Sequence, residues 1–169
     1  MAGRAADFVL VSKWDVAGSL DEVNAILSEP EEMPRWWPQV YLSVQVVEAG
    51  DADGLGRVVD VHSRGWLPYT LRWRGRVTEV DRPHGWTIEA SGDLAGRGVW
   101  HMDEANGRVR LRYTWEVAVG APLLRALAPV LRPAFAANHR WAMARGEEGL
   151  TREIARRRAL GSAQPFATG

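Results

Sequence analysis

Hydrophobic and polar positions change their period twice along the chain. Residues 8–16, FVLVSKWDV, alternate, with Phe8, Leu10, Ser12 and Trp14 on one face, which predicts a β-strand. The period then lengthens, and Leu20, Val23, Ile26 and Leu27 recur at helical spacing. Ser19 precedes them as an N-cap, with Glu22 three residues on as its capping-box partner. Pro30 ends this helix, and a second short helical turn is expected over Pro30–Arg35. In WWPQV, residues 36–40, neighbouring side chains on extended backbone point to opposite faces. Trp37 is therefore expected to pack inward and Trp36 to be the more exposed.

From Val40 the period is two. Val40, Leu42, Val44 and Val46 share a face, and GDADGLG forms a turn before RVVDVHSRG. In LPYTLRWRGRVTEVD, Leu71, Trp73 and Val77 alternate with Arg72, Arg74 and Arg76. A turn at RPHG, a strand at WTIEAS, a glycine-rich break at GDLAGRG and a strand at VWHMDE follow. Asn106-Gly107 is a hairpin signal. Beyond it Val109, Leu111, Tyr113, Trp115 and Val117 oppose Arg108, Arg110 and Arg112. The last third is helical. Pro129 and Pro133 should break or kink its first part, and the strong stretch is Pro133–Arg158, with Phe135, His139 and Met143 on one side. Gly146 and Gly149 each cost roughly 1 kcal/mol in a helix and imply a bend or a close backbone approach.

This order describes an α+β architecture. A curved antiparallel sheet of about seven strands, apolar on one face and arginine-bearing on the other, wraps a long C-terminal helix. Two short helices follow the first strand. One domain covers 1–158, and 159–169 reads as a loose tail.

Composition narrows the function. A chain of 169 residues makes one domain. Without cysteine it has no disulfide, zinc-thiolate site or thiol nucleophile. Basic and acidic residues balance at 21 each, which argues against a nucleic-acid partner and reads the arginine stripes as a solvated convex face. No run reaches the ~18 apolar residues of a membrane span, and the N-terminus has no signal-peptide pattern, so a cytoplasmic location is expected. Nine tryptophans suit a wide interior with a polar rim or a ligand.

The element order resembles that of the START-like, helix-grip superfamily. The motifs that carry the resemblance are Trp14 with Val16, WWPQV at 36–40, GWLPYTLRW at 65–73, GDLAGRGVW at 92–100 and NHRWAMARGEEGL at 138–150. They are most similar to the bacterial polyketide-cyclase-like subgroup, whose superfamily includes enzymes, lipid carriers and sensors. The resemblance covers residues 7 to 158 and implies a deep cavity between sheet and C-terminal helix. Its implied walls are Trp14, Trp73, Trp100, Tyr113 and Trp115 from the strands, with Phe135, His139 and Met143 from the helix. The alternative is that these side chains make a solid core.

His139 is the candidate for acid–base work, since histidine alone titrates near neutral pH unperturbed. The competing reading is a hydrogen-bonded core histidine, because no partner carboxylate can be placed beside it. Asn138, a candidate ligand contact, points about 100° away around the helix. Tyr69 is a second catalytic candidate, able to polarise a ketone or enol oxygen; the alternative is a rim tyrosine. Asp93 is expected to pair with Arg97 or cap a turn. Neither His62 nor His101 has metal-ligand spacing, DADG lacks most of a calcium loop, and no cofactor motif is present, so no metal and no cofactor are expected. The function expected is binding of a hydrophobic or aromatic small molecule such as a lipid, quinone or polyketide-like compound. A cyclase, aromatase or dehydratase using the same cavity, and a partner-regulating module, are the alternatives.

Overall fold

A computed structural model describes residues 8–119 and 122–162. Strand β1 (Phe8–Ala17) leads into α1 (Leu20–Leu27), a 3-10 turn (Pro30–Glu32) and α2 (Met33–Trp36). Six strands follow: β2 (Tyr41–Glu48), β3 (Val58–Arg64), β4 (Thr70–Asp81), β5 (Gly85–Gly92), β6 (Leu94–Ala105) and β7 (Arg108–Val119). Helix α3 (Pro122–Ser162) follows. All seven strands join one antiparallel sheet in the order β1-β7-β6-β5-β4-β3-β2. Because β1 pairs with β7, the two short helices carry the chain from one edge of the sheet to the other.

Local chemistry sets these elements. Ser19 caps α1 through its Oγ, and the Glu22 carboxylate returns a bond to the Ser19 N–H, completing the capping box. Asn106 and Gly107 both take positive φ, as a two-residue hairpin requires. The alternation in β7 holds: Val109, Leu111, Trp115 and Val117 are buried, whereas Arg108, Arg110 and Arg112 are exposed. On that convex face Arg74 pairs with Asp60, Arg76 with Glu48 and Arg108 with Asp15.

Helix α3 is anchored at its C-terminal half. The Glu153 carboxylate, with 2% of its side chain exposed, accepts from Arg35, Arg156 and Arg157. Arg157 also reaches Glu29, and Arg158 pairs with Glu22 at 2.6 Å, so α1 and α2 are both tied to α3. Its glycines are points of close approach. A Cβ on Gly146 would lie 2.4 Å from the Trp37 ring and 2.7 Å from Trp14, and one on Gly149 would lie 2.1 Å from the Trp36 carbonyl oxygen.

Several expectations are corrected. A register shift between Tyr41 and Ser43 turns Leu42 outward and brings Tyr41 inward, so Val40, Leu42, Val44 and Val46 do not form one face. The segment GDLAGRG is not a break: β6 begins at Leu94 and pairs continuously with β7. The Asp93 carboxylate leaves Arg97 to Glu79 and instead accepts from the Arg72 N–H at 2.8 Å. Trp36 is 4% exposed, as deeply buried as Trp37 at 3%. The pair is not extended: Trp36 ends α2, Trp37 is its C-cap, and the rings stack 5.5 Å apart. The helix also continues through Pro129 and Pro133 and runs to Ser162, into the expected tail; residues 163–169 lie outside the described residues.

Candidate functional site

The concave face of the sheet and α3 enclose a cavity of about 200 Å³. Its floor comes from β2–β7, where alternation aims every second side chain inward. Val61, Trp73, Ile88, Trp100, Tyr113 and Trp115 are among the strand residues that line it. Trp37 lies against the roof, where its indole N–H donates to the Ala142 carbonyl at 3.0 Å. His139, Ala142 and Met143 complete the roof from α3.

The aromatic lining is continuous. Trp100 stacks on Tyr113 with centroids 4.4 Å apart, Tyr113 on Trp115 at 5.9 Å, and Trp115 meets Trp73 at 6.2 Å. Behind this layer Trp14 packs edge-on to both Trp100 and Trp37. Offset and edge-on pairs are favourable and hold the rings in fixed orientations. Gly98 makes room for the stack, since a Cβ there would lie 2.5 Å from the Tyr113 oxygen and 2.9 Å from the Trp115 ring. Gly98 of GDLAGRG thus serves the cavity from within β6.

Among the polar residues that line this apolar volume are Tyr41 and Tyr113 with their phenols, Ser63 with its hydroxyl and His139 with its imidazole. Burial pushes the Tyr41 pKa up to about 12. Burial, reinforced by the neighbouring Tyr41, raises Tyr113 well above the usual phenol value. Both therefore stay protonated donors at neutral pH. Ser63 accepts from the Trp73 indole N–H at 3.1 Å, which leaves its own hydrogen free to turn. His139 Nε2 lies 3.1 Å from Ser12 Oγ. Burial first, then the Arg140 charge, lowers its pKa to about 4, so its ring is neutral at pH 7.

Of the residues singled out in the sequence, Trp73, Trp100, Tyr113, Trp115, His139 and Met143 meet at the cavity. Four stand outside its lining. Trp14 supports the aromatic layer from behind. Phe135 packs edge-on to Phe8 in a neighbouring cluster. The Asn138 side-chain oxygen accepts from the Trp66 N–H at 2.8 Å and so holds the β3–β4 loop. Tyr69 sits in that loop, half-buried. Sequence reasoning missed Tyr41 and Ser63, and also Arg57 and Arg82 at one end of the cavity; Trp37, expected to pack inward, does so against the roof. For Ser63 the signal was present, in the alternation Val59, Val61, Ser63; for Tyr41 the register shift erased it.

A curved antiparallel sheet gripping one long helix over an aromatic-lined cavity defines a helix-grip fold. The chain belongs to the polyketide cyclase / dehydrase and lipid transport family, whose model it matches over residues 8–153. Solved structures share the fold. A protein from Thermus thermophilus superposes with a TM-score of 0.69 at 14% identity, covering 93% of this chain and 100% of its own. The Zhui aromatase/cyclase from Streptomyces sp. R1128 gives a TM-score of 0.69 at 15% identity, covering 96% and 98%. A norcoclaurine synthase point mutant from Thalictrum flavum, in complex with a transition-state analogue, gives 0.59 at 17%, covering 89% and 96%. No curated protein matches the sequence. No helix among the described residues is long and apolar enough to cross a membrane.

Proposed function

We propose that the protein binds a hydrophobic or aromatic small molecule in the cavity under α3. The observation that carries this reading is the lining: a continuous aromatic wall interrupted by Tyr41, Ser63, Tyr113 and His139. Apolar pockets with a few placed polar groups are the usual form of small-molecule sites. Burying roughly 200 Å² of apolar ligand surface contributes about 5 kcal/mol before ordering costs. The neutral dye N-phenyl-1-naphthylamine tests this. It should bind saturably, one per chain, with its fluorescence enhanced and tryptophan emission quenched. Ala142→Phe, which projects a ring from α3 into the cavity, should abolish binding and leave circular dichroism unchanged. Absence of saturable binding to the folded wild-type protein sinks the reading.

His139 favours a second reading, a cyclase- or dehydratase-type reaction in the same cavity. Its neutral imidazole can accept a proton and Tyr113 can donate a hydrogen bond to a ketone or enol oxygen. Tyr69, outside the lining, takes no part in this version. Turnover of a poly-ketone that survives both His139→Gln and Tyr113→Phe would exclude it.

A further inference from the structure

One end of the cavity differs from the rest. At the β2–β3 and β4–β5 connections the lining passes from aromatic rings to Arg57, Arg82, Asp53 and Gly54. Arg57 leads into β3 and Arg82 follows β4, so antiparallel pairing puts both at the same end of the strands. Ser63 lies six residues further along β3, roughly 20 Å away. Asp53 and Arg82 are exposed, so the cavity meets solvent here.

The two guanidinium groups are held in place without being neutralised. Arg57 donates from Nε to the Ala49 carbonyl at 3.0 Å and from Nη1 to the Ser28 carbonyl at 2.8 Å. Arg82 donates from Nε to the Asp53 carbonyl at 2.9 Å, and from Nη1 to Ser28 Oγ and Asn24 Oδ1. All these acceptors are uncharged. Among the described residues neither arginine forms an ion pair. A guanidinium carries five N–H donors, and the Nη2 group of each arginine has no acceptor among the described residues. Both Nη2 atoms converge: each stands 3.6 Å from the point where a Cβ on Gly54 would lie. Gly54 is buried with φ +89°, a conformation that favours glycine, so no side chain occupies that point.

The nearby carboxylates are mostly engaged elsewhere. Glu29 binds Arg157, Glu31 accepts from the Val46 N–H, and Asp51 accepts from the N–H groups of Asp53 and Leu55. Among the residues that line the cavity, Asp53 is the carboxylate set against these two cations, which leaves an excess of positive charge at the opening of an apolar chamber. Charge-assisted bonds from a pre-oriented guanidinium to a carboxylate are among the strongest polar contacts available, and fixed donors lose little entropy on binding.

We propose that Arg57 and Arg82 form an anion site at the cavity mouth, and that the ligand is an amphipathic organic acid. Its aromatic or apolar body lies among Trp86, Trp100 and Tyr113, and its carboxylate bridges the two Nη2 groups beside Gly54. This rests on the cavity being a ligand site, as proposed above.

The test compares 2-naphthylacetate with its neutral counterpart 2-naphthaleneacetamide by calorimetry and tryptophan quenching at pH 7.5. Wild-type protein should bind the acid about tenfold more tightly, and the preference should shrink as salt rises while amide binding holds. The double variant Arg57→Gln/Arg82→Gln should lose the preference and keep its affinity for the amide. If the double variant does not fold, the single variants and the wild-type salt series carry the decision. Equal affinity for acid and amide in the wild type overturns the anion site and leaves the cavity reading standing. So does failure of both naphthyl probes while N-phenyl-1-naphthylamine still binds. Failure of all three probes overturns the cavity reading itself.

Discussion

Gly146→Ala sets two effects of opposite sign against each other within one helix. Alanine in place of a mid-helix glycine stabilises a helix by roughly 1 kcal/mol, through the lost backbone freedom of the unfolded chain. At position 146, however, the added Cβ would stand 2.4 and 2.6 Å from two Trp37 ring atoms and 2.7 Å from Trp14. Ordinary contact needs about 3.5 Å or more, so the helix or the rings must yield by about 1 Å. The rings have little freedom. Trp37 is held by its bond to the Ala142 carbonyl and stacked on Trp36, and Trp14 is wedged between Trp37 and Trp100. Overpacking of this kind costs about 1–3 kcal/mol, and two rigid rings place it near the upper end.

The clash therefore wins, with a net loss of about 2 kcal/mol, or roughly 4–8 °C in Tm for a domain of this size. Urea unfolding followed by tryptophan emission measures it, with the loss read from the midpoint at constant slope. Gly161→Ala is the internal control, since a Cβ there meets nothing within 4 Å. Its Tm should hold or rise. A Gly146→Ala protein as stable as wild type would refute the argument that Gly146 is required by the indoles it faces.

Four further outcomes are expected. His139 has a folded pKa of about 4 against an ordinary 6.5, so between these values the unfolded chain takes up a proton that the native one refuses. Stability should fall as pH drops from about 6.5 to 4; His139→Gln should flatten that segment, and an unchanged urea-midpoint profile in the variant would contradict it. Below it, as pH falls from about 4.5 towards 2, the depressed carboxylates of Glu22, held by Arg158, and Glu153, held by Arg156 and Arg35, should add a second loss. Glu153→Gln keeps the shape but leaves Arg35, Arg156 and Arg157 facing one another; because those arginines can turn to water, the cost should be about 2 kcal/mol rather than the 3–5 of a fully buried pair, and a loss below about 0.5 kcal/mol in urea would show the clasp to be dispensable. Asn138→Ala should release the Trp66 amide, speeding its hydrogen exchange at a cost of about 1 kcal/mol in global stability; unchanged exchange at Trp66 would show that the loop is held by other contacts.

What could be read in the sequence follows from what periodicity encodes. Alternation identifies a face within an unbroken strand, so β7 and the inward positions of Trp73, Trp100, Tyr113 and Trp115 were legible. It says nothing across a register shift, which is why Leu42 was placed inward and Tyr41 overlooked. The tryptophan pair shows the same limit in another form: opposite faces follow only if the backbone is extended, and the α2 C-cap at Trp37 brings both rings into the core. Helical spacing ranked Asn138 beside His139 in the chain, yet the 100° between them sends one to the β3–β4 loop and the other to the cavity. Turn residues have no period at all. Arg57 and Arg82, 25 positions apart, meet only because β3 and β4 run antiparallel and their connections fold over Gly54. The apolar chamber was therefore written in the strands, where composition repeats. The arginine-lined opening, proposed above to select organic acids, depends on a contact no local pattern records.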